Sequence, residues 1–468
     1  MSNATSIQPA DAGETRSGSS GRANYALLVL LLAYVFSIMD RQILALLVGP
    51  IQQALNVNDA WMGMLHGFTF AAFYSLVGLP IARLIDRSNR RLIIATGIAV
   101  WCIATAAGGL ATEFWHLLVA RIGVAAGEAV LLPGAVSLIS DLFPGNKRDR
   151  ALGVFGAGGP VGAGIGLFAT GLVLGYFTAH PLTLPYLGTL EPWQTTLMSI
   201  GIPGLLLLAL MIGVPEPRRD RTEPGTLNRK PDKGVPLQEV VNYFKAHRRT
   251  IGSVVLATGC YYAAVYGSTA WVPSYLVRQF GWSYADAGTA MGLMMCICAP
   301  LGVLGASWLG GFWRRRGLAH GNLRVAILAS MALPVFATFV LLAPSVAVAL
   351  AFLVLTAAVW TCLFGVGPAM MVEITPAPMR GQAIALFTGV LTLLGAGVGP
   401  LMVGIITDYV FGDPLAIRYS ILIVTLTACA LAAVLYRNAL ESYQHTARQA
   451  AGWLPRDSLE ERPEPAND

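Results

Sequence analysis

Twelve stretches of about 20 or more predominantly apolar residues divide this 468-residue chain, and each is long enough to cross the hydrocarbon core of a bilayer as a helix. They cover residues 24–50, 60–84, 91–111, 115–142, 150–177, 193–214, 250–275, 284–312, 322–342, 345–372, 381–410 and 417–437. Lipid offers no water to satisfy exposed backbone groups, so segments of this length and composition fold as helices that bond to themselves. A mean hydropathy of +0.62 and a charged fraction of 12%, about half that of soluble domains, point the same way. The expected fold class is an all-α integral membrane protein with twelve transmembrane helices.

The remaining composition excludes several functions. A formal net charge of +6 would suit nucleic acid only if it formed a basic face on a soluble fold, whereas here Lys and Arg fill the gaps between apolar runs. No nucleic-acid partner is therefore expected. Cys102, Cys260, Cys296, Cys298, Cys362 and Cys429 all lie inside apolar runs, where cysteine behaves as a small hydrophobe. Cys296 and Cys298 diverge on a helix and cannot jointly hold a metal, so neither metal nor cofactor is expected. The chain has no His-Glu-x-x-His pair, no nucleophile elbow and no Lys-bearing phosphate loop, and an enzyme is not expected.

Only one gap between runs is long. Residues 215–249 are charged and Pro-rich, which reads as a linker between bundles of six helices, 24–214 and 250–437. A Ser/Gly-rich disordered tail over 1–23 and a polar tail over 438–468 complete the expected organisation. With the N-terminus in the cytoplasm, Arg83, Arg87, Arg90, Arg91, Lys147, Arg148, Arg150, Arg314, Arg315, Arg316, Arg324 and Arg380 all fall inside, leaving only Arg278 and Arg418 on the other face. That asymmetry predicts a multi-pass protein with both termini cytoplasmic. A bacterial inner membrane and a monomeric state are the further expectations.

The two halves echo each other. Asp141, Pro144 and Arg148 recur as Glu373, Pro376 and Arg380 at the same spacings, and glycines around Pro160 in the fifth span recur around Pro400 in the eleventh. Internal repeats of this kind mark transporters rather than channels or receptors.

The loop after the second span, with Ala82, Asp86, Arg87, Arg90 and Arg91, resembles the signature loop of the major facilitator superfamily. Its counterpart in the second half, around Leu309 to Arg316, keeps the arginines but has Gly311 where an acid would stand. Asp40-Arg41, the stretch from Arg121 to Glu128, and Ser140-Asp141-Leu142-Phe143-Pro144 resemble the spinster branch of that superfamily. The resemblance implies two six-helix bundles that alternate access, neighbouring first and fourth spans, and a substrate such as a sphingosine phosphate or lysophospholipid.

Charge inside the spans gives the candidate site. Arg121 and Glu128 are seven residues apart, so they leave one face of the fourth span. Each would cost roughly 2.5 to 3.5 kcal/mol at mid-membrane without partners. The rise per residue puts Asp40 at a similar depth, and two acids competing for one arginine form a switch suited to proton coupling. Glu128, Asp40 and Arg121 are the expected proton-coupling residues, with protons as the coupling ion. Arg41 is free either to snorkel or to meet an anionic head group. His66 lies level with Arg121 and either tunes the cluster or packs as a hydrogen-bonded core residue.

Asp86, Arg87, Arg90, Asp141, Arg148, Glu373 and Arg380 sit at cytoplasmic helix ends, where opposite charges form a latch between the halves. The second half has no ionisable group at mid-depth; it presents Tyr261, Tyr262, Tyr266, Trp271, Trp360 and Phe364. One polar wall and one aromatic wall suit an amphipathic or lipid-like substrate, held by Arg41, Arg121, His66, Tyr262, Trp271, Trp360 and Phe364. The expected function is proton-coupled secondary transport, exporting such a molecule. Proton symport of a small organic anion and a non-transporting membrane sensor are the alternatives.

Overall fold

The computed structural model describes residues 14–185, 188–217, 235–318 and 320–453. It is almost wholly helical. Eleven helical stretches among the described residues are long and apolar enough to cross a membrane: Gly21–Leu55, Asp59–Gly78, Arg90–Gly108, Phe114–Leu142, Lys147–Ala179, Pro192–Ile212, Tyr284–Arg315, Gly321–Leu341, Val346–Glu373, Ala377–Phe411 and Pro414–Ala451. The twelfth column, Arg248–Phe280, is the seventh span in order. It is long enough but too polar to pass on composition alone, because protein rather than lipid surrounds it. Tyr261 donates to the Val359 carbonyl at 2.5 Å and Tyr275 to the Val340 carbonyl at 2.7 Å. Thr258 pairs with Tyr436 at 2.8 Å. Hydroxyls satisfied in this way cost little inside a bundle.

Three boundaries of the expected organisation move. The first helix begins at Glu14, not after a tail ending at residue 23; once a span is nucleated, its backbone ladder propagates into water without further apolar residues. The last helix runs to Ala451, well past residue 437. Ala439, Tyr443, Thr446 and Ala450 are buried at helical spacing on one side of it, and Thr446 meets Thr250 at 2.9 Å. Its polar sequence hides a stripe that packs along the seventh span. The linker contains the helix Leu237–Ala246, whose Tyr243 donates to the Ile374 carbonyl at 3.0 Å. Burial pushes the Tyr243 hydroxyl up to about 12.

The seam between the halves closes at the face opposite the two chain ends. A Cβ at Gly63 of the second span would stand 2.6 Å from the Pro400 carbonyl oxygen of the eleventh. A Cβ at Gly171 of the fifth would stand 2.7 Å from the Ala285 carbonyl oxygen of the eighth. Only glycine allows backbones so close. Polar bonds reinforce this end. Arg278 grips Asp59 with two nitrogens, at 2.6 and 2.7 Å, and also donates to Gln52 Oε1 at 3.0 Å. Gln52 in turn donates to Asp59 at 2.7 Å. The Asp408 carboxylate accepts from the Ala60 N–H at 2.6 Å, capping the helix that opens the second span. At the face carrying the chain ends, no hydrogen bond or ion pair among the described residues joins one six-helix half to the other. The halves are therefore clamped at one end.

Asp59 is 2% exposed, so removing its partner leaves a buried charge uncompensated, at about 3 to 5 kcal/mol. Arg278→Ala is accordingly expected to part the halves at this face and Asp59→Asn to do so less. Spin-label distances across the seam are the readout, and distances unchanged in Arg278→Ala would show that the glycine contacts alone hold it.

Candidate functional site

Asp40 and Arg41 are adjacent on the first span, so their side chains leave about 100° apart. The structure uses that angle to serve two sites where the sequence predicts one. Ser37 and Arg41, one turn apart, point together at Glu128. Arg41 Nε donates to Glu128 Oε2 at 2.6 Å and Ser37 Oγ donates to the same oxygen at 2.8 Å. The expected pairing of Glu128 with Arg121 is thus replaced by one with Arg41. Seven residues put Arg121 and Glu128 on one helix face but two turns apart, roughly 10 Å along the axis. The neighbouring first span reaches Glu128 sooner.

Asp40 turns the other way. Its Oδ1 accepts from Thr105 Oγ1 of the third span at 2.8 Å. Asp40 and Arg121 line a common cavity within the first bundle. Arg121 forms no ion pair among the described residues. Its guanidinium lies over the Phe70 ring at 4.6 Å, and that of Arg41 lies over the same ring at 4.7 Å and over Tyr74 at 4.8 Å. Phe70 thus holds two cations that would otherwise repel each other. His66 is close enough to Arg121 to feel its charge, and its Nδ1 is buried without a partner. It sits in a π-helical turn, Met64–Phe68. Ser37, Phe70, Tyr74 and Thr105 escape the sequence reading, which weighed only ionisable residues as site candidates in the first half. A stripe was available: His66, Phe70 and Tyr74 recur every four residues along the second span.

The second half contributes less than expected. Arg41 carries its charge to within reach of Tyr34, Tyr74 and Tyr266. From Tyr266 the rings continue to Tyr262 at 6.0 Å and on to Phe364 at 5.1 Å. Phe364 is half-exposed. Trp271 and Trp360, expected in the same wall, are instead core residues of the second bundle. Trp271 donates to the Pro400 carbonyl at 2.9 Å, and Trp360 borders a separate cavity of about 10 Å³ with Ser268, Val272 and Leu353. Large aromatic rings on a span surrounded by helices fill space first.

Of the expected latch residues, Arg90, Asp141, Glu373 and Arg380 bond within their own half rather than across the seam. Asp141 pairs with Arg90 at 2.5 Å, and Arg90 also reaches Glu216 at 2.9 Å. Glu373 accepts from Asn322 at 2.7 Å, Tyr443 at 2.7 Å and Arg314 at 3.2 Å. The helix-end repeat therefore extends to a third member, Glu216 closing the first half where Tyr443 closes the second. Arg380 donates to its neighbour Thr375, and Arg148 is exposed. The side chains of Asp86 and Arg87 lie outside the described residues.

If Phe70 holds the two guanidiniums, Phe70→Leu, which keeps most of the volume, is expected to lower stability by about 1 to 3 kcal/mol. Thermal unfolding in detergent measures it, and an unchanged midpoint would reduce Phe70 to a space filler.

The profile of the Major Facilitator Superfamily matches residues 30–339. An MFS-type efflux pump of Mycolicibacterium smegmatis is 27% identical over 411 residues, covering 84% of this chain and 86% of that protein. Protein spinster homolog 1 of Xenopus laevis is 27% identical over 403 residues, covering 82% and 73%. The crystal structure of a bacterial homologue of the human lysosomal transporter spinster, in an inward-facing and unoccupied conformation, superposes with a TM-score of 0.75 at 24% identity, covering 93% of this chain and 99% of that one. The chain belongs to the Major Facilitator Superfamily of membrane transporters, and within it resembles the spinster proteins.

Proposed function

We propose that this transporter is driven by protons, with Glu128 as the residue that exchanges its proton as substrate binds. The observation that carries the reading is the position of Glu128. One carboxylate oxygen is held by Arg41 and Ser37 while the other is buried without a partner, and the Arg41 that holds it is 26% exposed. An anionic group arriving at Arg41 would compete with Glu128 for the guanidinium. A carboxylate that loses its cation in a desolvated site takes up a proton, which couples binding to protonation. Binding to the clamped, one-sided state and release after the seam changes ends would complete the cycle.

The substrate fitting this site is amphipathic, with an anionic head at Arg41 and an apolar tail along Tyr266, Tyr262 and Phe364. The resemblance to the spinster branch implies a lipid of lysophospholipid or sphingosine-phosphate type, and because the anionic head and the proton are bound together the coupling is a symport. The face carrying both chain ends is read as cytoplasmic from its arginines.

In liposomes with an imposed pH difference, Glu128→Gln is expected to abolish accumulation of a lysophospholipid while leaving its equilibrium exchange within about threefold of wild type. Arg41→Ala is expected to weaken binding itself, by about tenfold or more, since it removes both the anchor and the partner of Glu128. Accumulation that survives in Glu128→Gln would move coupling to Asp40 or elsewhere.

A further inference from the structure

Asp40 and Arg121 share a cavity of about 30 Å³ lined by the first bundle alone. Asp40 and Arg121 are 5% and 6% exposed. Asp40 Oδ2 and Arg121 Nε are both buried without a hydrogen-bond partner. A cavity of this size holds a water molecule or two, and a buried water needs two or more polar partners; the orphaned oxygen and nitrogen supply them, with Thr105 beside them on the wall. The rest of the lining shows where the space leads. Gly108 is the last residue of its helix, Leu117 lies in the first turn of Phe114–Glu128, and Leu197 lies in the second turn of Pro192–Gly204. All three helix ends belong to the face opposite the chain ends. The cavity thus extends from Asp40 toward the face that the Arg278 clamp closes.

We propose that this cavity is an internal water site that carries protons between Asp40 and the face opposite the chain ends, inside the first bundle and apart from the seam where substrate is held. The inference rests on the proton-driven reading and adds a route to it. A proton from the far compartment arrives on a cavity water and passes to Asp40 Oδ2, while Oδ1 keeps its bond from Thr105, and it is released to the other compartment when the seam changes ends. The charged and titratable groups facing Asp40 are Arg121 and Glu128 from the fourth span, Arg41 from its own and Cys102 from the third. Leu65 of the second span and Leu197 of the sixth are apolar, and His66 beside Leu65 lies within reach of Arg121's charge. A separate route explains why two acids sit side by side: Glu128 reports on substrate and Asp40 on the far compartment. Substrate lodged at the seam then leaves the proton path open.

The test uses the full chain in lipid and follows the carboxyl stretch of protonated Asp40 by infrared spectroscopy, assigned by its loss in Asp40→Asn, as H2O is replaced by D2O. A Cβ at Gly108 meets Ala120, Leu197 and Leu117 at 3.5 to 3.7 Å, so Gly108→Ala fits while Gly108→Leu fills the space. Exchange is expected to slow about tenfold or more in Gly108→Leu and to stay within about twofold in Gly108→Ala. Equal rates in all three chains overturn the route and leave coupling intact. A wild type with no Asp40 band at any pH at which it transports, and whose transport also ignores a pH difference, marks failure of the proton-driven reading itself and removes the route with it. Should Gly108→Leu fail to fold, radiolytic hydroxyl labelling of the wild type decides. Leu117 and Leu197, 4% and 5% exposed, are expected to be oxidised about tenfold faster than Leu207, which at 4% is as deeply buried but does not line this cavity. Equal labelling overturns the proposal.

Discussion

A carboxylate buried among helices must find a cation or a hydrogen-bond donor, because neither lipid nor an apolar core can solvate it. Asp40, Asp59 and Glu128 are all at most 5% exposed, and the arrangement of the molecule follows from how each solves that problem. Glu128 draws the first and fourth spans together through Arg41 and Ser37. Asp40 draws in the third span through Thr105. Asp59 draws the two halves together through Arg278. Two of these bonds are internal to one bundle and the third crosses the seam. That division separates what stays rigid when the halves rock from what has to break.

Much of the fold is legible in the sequence because the bilayer enforces a simple rule on length and apolarity. The rule fails where its premise fails. The seventh span is screened from lipid by its neighbours, so hydroxyls on Tyr261, Tyr275 and Thr258 are tolerated and its polarity understates its role. The helix continuing to Ala451 leaves the apolar run yet keeps a buried stripe, which a search for apolar runs passes over.

The site is legible in its members and less so in its pairings. Spacing along one helix says that Arg121 and Glu128 share a face, but it cannot say which neighbouring helix arrives first. Arg41 wins because it lies one turn from Ser37 and both reach one oxygen. Depth alone places Asp40 in the same layer, while the 100° step from Arg41 turns it into the bundle interior. The aromatic wall divides for a related reason: Tyr262, Tyr266 and Phe364 form a connected series, whereas Trp271 and Trp360 are needed to fill the second bundle.

The π-helical turn at Met64–Phe68 faces a second one, Thr392–Val398 in the eleventh span, with Gly67 set against the Ala396 carbonyl across the seam. Each such turn accommodates one residue more than an α-turn. Beyond it, every side chain is rotated by about 100° from where an unbroken α-helix would carry it. Phe70 and Tyr74 meet the two guanidiniums only in that rotated setting. An exchange between π and α geometry at Met64–Phe68 would swing both rings away together, uncovering the guanidiniums of Arg41 and Arg121 at one stroke while the Arg41–Glu128 pair stays in place.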